Sequence, residues 1–479
     1  MFTHTLSAQT FTESPQFPPL EGVEFSDVSF ADVDGDNDKD VLITGQTSTG
    51  ELISKLYRND GTGMFTEMMG TPFPGLGYGS VAFADVDNDN DQDLLMTGRS
   101  TLPGTQIAKL YRNDGMGNFT EVMGTPFRGT EFGSVAFADV DGDNDQDVLI
   151  AGQRTNGLRY TNLYLNDGSG GFTEKSGTSF EGVAGGAVAF ADVDGDNDQD
   201  LLITGSNSIN GPNALGLPVT KQYTNDGAGN FSEKMGTAFV GLTSSAVAFA
   251  DFDGDNDQDV FITGSGIIRD ISRVYTNDGA GNFTQTTPPL PETISSNSVA
   301  VADVDGDTDQ DIFVAGLNQS GTIIATLFTN DGAGVFTELV GASFENVAGS
   351  VAFADVDGDA DPDVLLTGQG NAIGPTAKLY LNDGIISSND PLSSFPFELH
   401  VFPNPSPAST LYLRCDLPEQ GEATIRIYNV HGALLLQQEE SFTSGQQTIS
   451  LEVASFPKGQ YFLELVDGKI KGSASFVIQ

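Results

Sequence analysis

Five aspartates fall at alternate positions in "DVDGDNDKD": Asp32, Asp34, Asp36, Asp38 and Asp40. Carboxylates at this density form a hard-oxygen ligand set. Calcium takes roughly six to eight oxygens, and loops that bind it draw on positions one, three, five, seven (through a backbone carbonyl) and nine. Two carboxylates ~4 Å apart repel by ~4 kcal/mol at an effective dielectric of 20. Several such pairs hold a loop open unless a cation closes it, and one divalent ion reverses the sign.

The stretch occurs seven times. The remaining sets are Asp85, Asp87, Asp89, Asp91 and Asp93; Asp139, Asp141, Asp143, Asp145 and Asp147; and Asp192, Asp194, Asp196, Asp198 and Asp200. They continue with Asp251, Asp253, Asp255, Asp257 and Asp259; Asp303, Asp305, Asp307, Asp309 and Asp311; and Asp355, Asp357, Asp359, Asp361 and Asp363. Gly35 at position four and Asn37 at position six suit a left-handed backbone. Thr308 and Ala360 replace the asparagine in the last two loops, which predicts weaker sites there. An EF-hand is excluded, because position twelve is not glutamate and strands flank the loop. The alternative to metal ligation is a set of solvated acidic turns.

First aspartates recur every 52 to 59 residues, the mark of a repeat architecture. Within one period, "SVAFADV" alternates and "DLLMTG" is continuously apolar, as in a strand covered on both faces. "AKLYRNDG" alternates again and ends in the turn signal Asn113-Asp114-Gly115, followed by "GNFTEVMG". Four strands per period, with no helical spacing, predict an all-β, seven-bladed β-propeller. The seventh unit stops after "KLYLNDG", and "QTFTESPQFPPLEG" near the N-terminus matches the strand it lacks. That strand is expected to complete the last blade and leave no open edge. The predicted layout is an N-terminal remnant (1–8), a propeller (9–384), a linker (385–397) and a second domain (398–479). Seven short alternating segments in the second domain, from "ELHVF" to "SASFVIQ", predict a small immunoglobulin-like β-sandwich.

A formal charge of −47 argues against nucleic acid or an anionic membrane surface as partner. The seven runs carry 35 of the acidic residues, so the charge belongs to particular turns and not to a disordered tail. The single cysteine, Cys415, excludes an internal disulfide, and no apolar stretch approaches the ~20 residues of a membrane span. The opening "MFTHTLSAQTFTE" does not read as a complete signal peptide.

The repeats resemble the FG-GAP and VCBS type and are similar to the calcium-bearing propeller of integrin α subunits. That resemblance implies metal between the first and second strands of each blade, up to seven Ca2+ ions in all, and a role in adhesion or ligand binding. It does not fix the function, because some relatives are joined to enzymes. In the C-terminal part, "VFPNPSP", "IRIYNVHGALL", "LEVASFPKGQYFLEL" and a terminal "FVI" resemble the C-terminal sorting domain of type IX secretion. The resemblance implies recognition by the type IX secretion machinery and a secreted or outer-membrane-attached protein of Bacteroidota type.

A catalytic constellation is not evident. His4, His400 and His431 lie outside the blades, and no serine sits in a GxSxG context. The reading is therefore a non-catalytic, calcium-stabilised binding or adhesion module with an extracellular glycan or protein ligand. A hydrolase using loop carboxylates and a scaffold without a soluble ligand are the alternatives. Ligand is expected on the face opposite the aspartate loops, where Arg99, Arg128, Arg154 and Arg159 gather with Tyr160. Guanidinium groups there would suit an acidic polysaccharide or a carboxylate-bearing partner.

Overall fold

The computed structural model describes residues 8–14, 16, 19–101, 105–207, 216–286, 293–318, 320–339, 342–371, 374–386, 400–402, 410–417, 421–429, 434–442, 445–453, 456–467 and 470–478. Most of the predicted linker and N-terminal remnant lies outside these residues. The described residues are all-β, without a helix. They divide into two compact units, Phe11–Asn382 on one side and Asp383–Gln479 with Met1–Thr10 on the other.

In the larger unit each aspartate stretch links two antiparallel strands that pair with each other; units one and two share one eight-stranded sheet, and in unit four the first of these strands is split in two. Unit three is representative: Glu131–Ala138, Asp147–Gln153, Arg159–Leu165 and Thr173–Glu174 pair in that order. The second strand is buried along its length from Asp147 to Gly152, as its unbroken apolar run requires. Aromatic residues from the connections pack on those of the strands, for example Phe127 against Tyr164 of the third strand and against Phe172, at centroid distances of 5.0 Å in both pairs. The fourth strand is only two residues long, and the NDG sequence opens a seven-residue connection, not a two-residue hairpin. The Asp167 carboxylate accepts from the amides of Ser169 and Gly171 and so organises that connection from within.

First strands contact one another in chain order, and the strand Val347–Ala354 of unit seven contacts Glu24–Ala31 of unit one. Ala8–Glu13, from the start of the chain, is the fourth strand of the sheet formed by unit seven. Phe11 packs on Phe344 at 5.1 Å, and the Ser14 amide donates to the Leu379 carbonyl at 2.9 Å. The arrangement is propeller-like.

The smaller unit contains a three-stranded and a four-stranded antiparallel sheet. Alternating residues from both sheets, including Leu411, Leu413, Ile425, Ile427, Leu463 and Phe476, share one buried core.

Candidate metal centres

The aspartates of a stretch divide into distinct roles set by the backbone path. Position one caps the loop: Asp32 accepts from the Gly35 amide at 2.8 Å and the Asn37 amide at 3.0 Å. These bonds need left-handed backbone at positions four and six. Gly35 and Asn37 have φ of 76° and 71°, and Asn88 replaces the glycine in unit two at 63°. Thr308 and Ala360 adopt the same conformation, at 79° and 74°, so the loop path is kept where the residue type opposes it.

Position five accepts from the amide of position seven, as in Asp38 N to Asp36 Oδ1 at 3.1 Å. The carboxylate of position seven turns toward the next hairpin, where a Cβ added to Gly61 would lie 2.5 Å from Asp38 Oδ2. Glycine in the NDG sequence is thus required by close approach as well as by its φ of 75°. Position nine is a buried clip. Asp40 accepts from the Val33 amide at 3.0 Å and the Asn59 amide at 2.9 Å, and the same pair of bonds recurs in all seven loops. Burial nevertheless holds these carboxyls up, to about 6 at Asp40 and about 7 at Asp147, Asp311 and Asp363.

Position three is the orphan. Asp34, Asp87, Asp141, Asp194, Asp253, Asp305 and Asp357 each bury an Oδ1 that has no hydrogen-bond partner. Burial, reinforced by repulsion from position five, raises all seven, to about 6 at Asp305 and Asp357. Oxygens of Asp32, Asp34 and Asp36 lie within 4.8 Å of one another, as do those of Asp139, Asp141 and Asp147. Ligands at calcium distances lie no more than about 5 Å apart, so these sets fit one shared cation. A buried oxygen that lacks a donor and faces other carboxylates is the kind of atom a metal ion satisfies.

Two features lay beyond the sequence reading. The first is the asparagine of NDG. Asn113 Nδ2 donates to the Val33 carbonyl in the aspartate loop of the preceding unit at 2.8 Å, and its counterparts in the other six units do the same. The second is a cation already present in two loops. Arg58 Nε lies 2.6 Å from Asp34 Oδ2 with Nη2 3.0 Å from Asp36 Oδ2, and Arg112 Nη1 lies 3.0 Å from Asp87 Oδ2. Units three to seven have Leu165, Thr224, Thr276, Thr329 and Leu381 at that position. The signal was the arginine in "YRND", present only in the first two units.

The proposed ligand arginines are only partly brought together. Arg128 and Arg154 both lie over the Tyr160 ring, at 5.6 Å and 5.8 Å, and Arg128 donates to both oxygens of Glu174 at 2.9 Å. Arg99 pairs with Glu131 at 2.8 Å, and Arg159 Nη1 donates to Ser206 Oγ at 3.1 Å and to the Asn207 carbonyl.

Comparison with known proteins bears on both parts of the chain. A family model described as an FG-GAP-like repeat matches residues 32–96, 139–203, 251–314 and 303–366, together just over half of the chain. A secretion system C-terminal sorting domain matches residues 400–479. That domain marks the protein for type IX export in Bacteroidota, and so for release or attachment at the cell surface. No curated protein is detectably similar. Among solved structures, dimeric latent PorU from Porphyromonas gingivalis is similar at 13% identity over 76% of this chain and 36% of its own, with a TM-score of 0.15. This chain therefore spans about a third of that protein's length. A superposition that loose bears on neither fold nor function. No helix among the described residues is long and apolar enough to cross a membrane.

Proposed function

This chain belongs to the FG-GAP-like repeat family and ends in a type IX sorting domain, and on that footing we propose that it is a calcium-stabilised binding or adhesion module. Its seven repeat units, the first two joined in one eight-stranded sheet, are the blades of one closed propeller, and its C-terminal pair of sheets is an immunoglobulin-like sandwich that serves as the export address. One observation carries the calcium reading: the same buried, unpartnered Oδ1 recurs at position three of all seven loops.

In each loop, positions one, three and five, with position nine where it joins the cluster, would hold the ion. Calcium neutralises the clustered carboxylates and satisfies the orphan oxygen. With Kd near 0.1 mM and about 2 mM calcium, each occupied site adds ~1.8 kcal/mol to stability. The ions are staples and not catalysts. That reading is supported by the engagement of positions one, five and nine with loop amides, which ties these carboxylates into the loop itself.

The test is thermal unfolding of the purified protein, stripped of metal and then titrated with calcium. A calcium-dependent rise in melting temperature, absent with magnesium at equal concentration, is expected. Coincident melting with and without calcium would overturn the reading.

A further inference from the structure

The first strand of most units carries a bulge at its start, at the opposite end from the aspartate loop. Pairing with the second strand skips between Glu24 and Asp27, between Gly77 and Ser80, and between Glu131 and Ser134. The bulged residue is forced to positive φ: Phe25 at 50°, Tyr78 at 55° and Phe132 at 51°. Bulky residues rarely adopt this conformation, and it strains the backbone wherever they do. Unit four shows what the fold itself asks for there, because Gly185 holds the equivalent place at 61°. Unit five uses the small Ser244 at 46°. The Gly185 amide donates to the Phe132 carbonyl and the Ser244 amide to the Gly185 carbonyl, so these residues form one belt.

Three adjacent units therefore carry an aromatic ring where glycine or serine suffices. The rings do not enter a core. Phe25 and Phe132 are each 43% exposed. They line up across the units, with Phe25 stacked on Tyr78 at 4.2 Å and 22°, and Tyr78 edge-on to Phe132 at 5.2 Å. The Arg99 guanidinium covers the Tyr78 ring at 5.1 Å and pairs with the buried Glu131. The result is an exposed aromatic ledge on one side of the belt, small residues on the other, and an ion pair at its rim. Strain kept at two exposed positions and at the half-buried Tyr78 between them, against an internal example that avoids it, requires a gain other than folding.

We propose that Phe25 and Phe132, held in line by the Tyr78 ring between them, form a stacking platform for the apolar face of sugar rings in a neutral polysaccharide. This deepens the binding-module reading and rests on it. Aromatic faces accept the C–H face of a pyranose, and the half-exposed Arg99 guanidinium, anchored by the buried Glu131, offers donors to hydroxyl groups at the edge. The net charge of the chain disfavours a polyanion. Three rings are too small a surface to anchor a protein partner, which needs roughly 800 Å² per side.

Depletion of the calcium-loaded full chain by insoluble cellulose, chitin and mannan tests the assignment. At least one of the three should retain the protein. Retention should weaken roughly tenfold or more in Phe25→Gly/Phe132→Gly and in Tyr78→Ala. Phe132→Gly alone should melt no lower than the parent, because glycine relieves the left-handed strain. Retention by none of the three overturns the saccharide assignment and leaves a protein-binding module standing. Retention that ignores all the variants overturns the platform alone. A lower melting temperature for Phe132→Gly would assign the ring a structural role and overturn the proposal.

Discussion

The side-chain amide of Asn59 donates a 2.7 Å hydrogen bond to the carbonyl of Val356, a residue 297 positions further along the chain. It is the same bond that Asn113 makes to Val33 and Asn382 makes to Val304, in each case from one unit's NDG connection into the preceding unit's aspartate loop. Asn59 is the member that joins unit one to unit seven. In a closed ring the seven bonds are equivalent, and in an open array Asn59 would have no partner. Asn59→Ala and Asn225→Ala should therefore cost the same, about 1–3 kcal/mol, because each leaves a buried carbonyl without its donor. Urea unfolding of the two variants checks this. A neutral Asn59→Ala beside a costly Asn225→Ala would mean the ring is not closed.

Removal of residues 1–16 should be more damaging than removal of 390–479. Gln16 shows why: its Nε2 donates to the Gly63 carbonyl at 2.7 Å, and its Oε1 accepts from the Phe65 amide at 3.0 Å, both in unit one. A few residues earlier, Glu13 pairs with Lys378 of unit seven. The N-terminal segment is thus strand and clasp together. Its deletion should yield oligomeric or protease-sensitive protein by size exclusion and limited proteolysis, because the edge of the strand Gly374–Ile386 is freed. The C-terminal deletion should leave the melting temperature of the larger unit unchanged.

Much of this was legible in the sequence, and what was not has a common cause. The period, the strand alternation and the ligand spacing are local properties that each repeat states for itself. Position nine could be counted as a fifth ligand from spacing alone. Its role as a clip depends on Asn59, which the fold brings back against it on the third strand. Likewise NDG reads locally as a turn, and its bond to the neighbouring unit exists only once units pack. The aromatic residues at Phe25, Tyr78 and Phe132 look like ordinary strand alternation. Only the pairing with the second strand, which skips there, turns them outward at positive φ. Arg128 and Arg154 share the Tyr160 ring, but Glu174 was too distant in sequence to suggest itself as Arg128's partner.

The raised carboxyls make stability depend on pH in a sense opposite to the usual acid denaturation. The position-nine groups sit near 6 to 7 in the folded chain, at Asp40 and Asp311 for example, against 3.8 as their ordinary value. A raised folded-state pKa gives stability that is complete below the unfolded value and lost as pH climbs through the folded one. Metal-stripped protein should therefore melt lower at about pH 8 than at about pH 5. Calcium favours the ionised form, so the rise in melting temperature that it produces should be larger at the higher pH. Scanning calorimetry at both pH values, with and without calcium, reads the two effects. A calcium increment that shrinks as pH rises would contradict the assignment of these aspartates.

Arg58 and Arg112 should divide the seven loops into two classes. In units one and two a guanidinium already neutralises position three, at 2.6 Å in one case and 3.0 Å in the other. A divalent ion entering there must displace or face that charge. The Arg58 side chain is 53% exposed, so displacement is feasible but costs the ion pair. These two loops should bind calcium more weakly than loops three to five, which lack the arginine and keep asparagine at position six. Arg58→Leu and Arg112→Leu should act in opposite directions on two measurements. Equilibrium dialysis should show one added tight site per substitution, because the competitor is gone. Melting of the metal-stripped variants should fall, because position three then faces its neighbouring carboxylates with no cation at all. Seven equivalent sites in the parent protein, or variants that leave calcium stoichiometry unchanged, would show that the arginines sit beside the metal positions without competing for them.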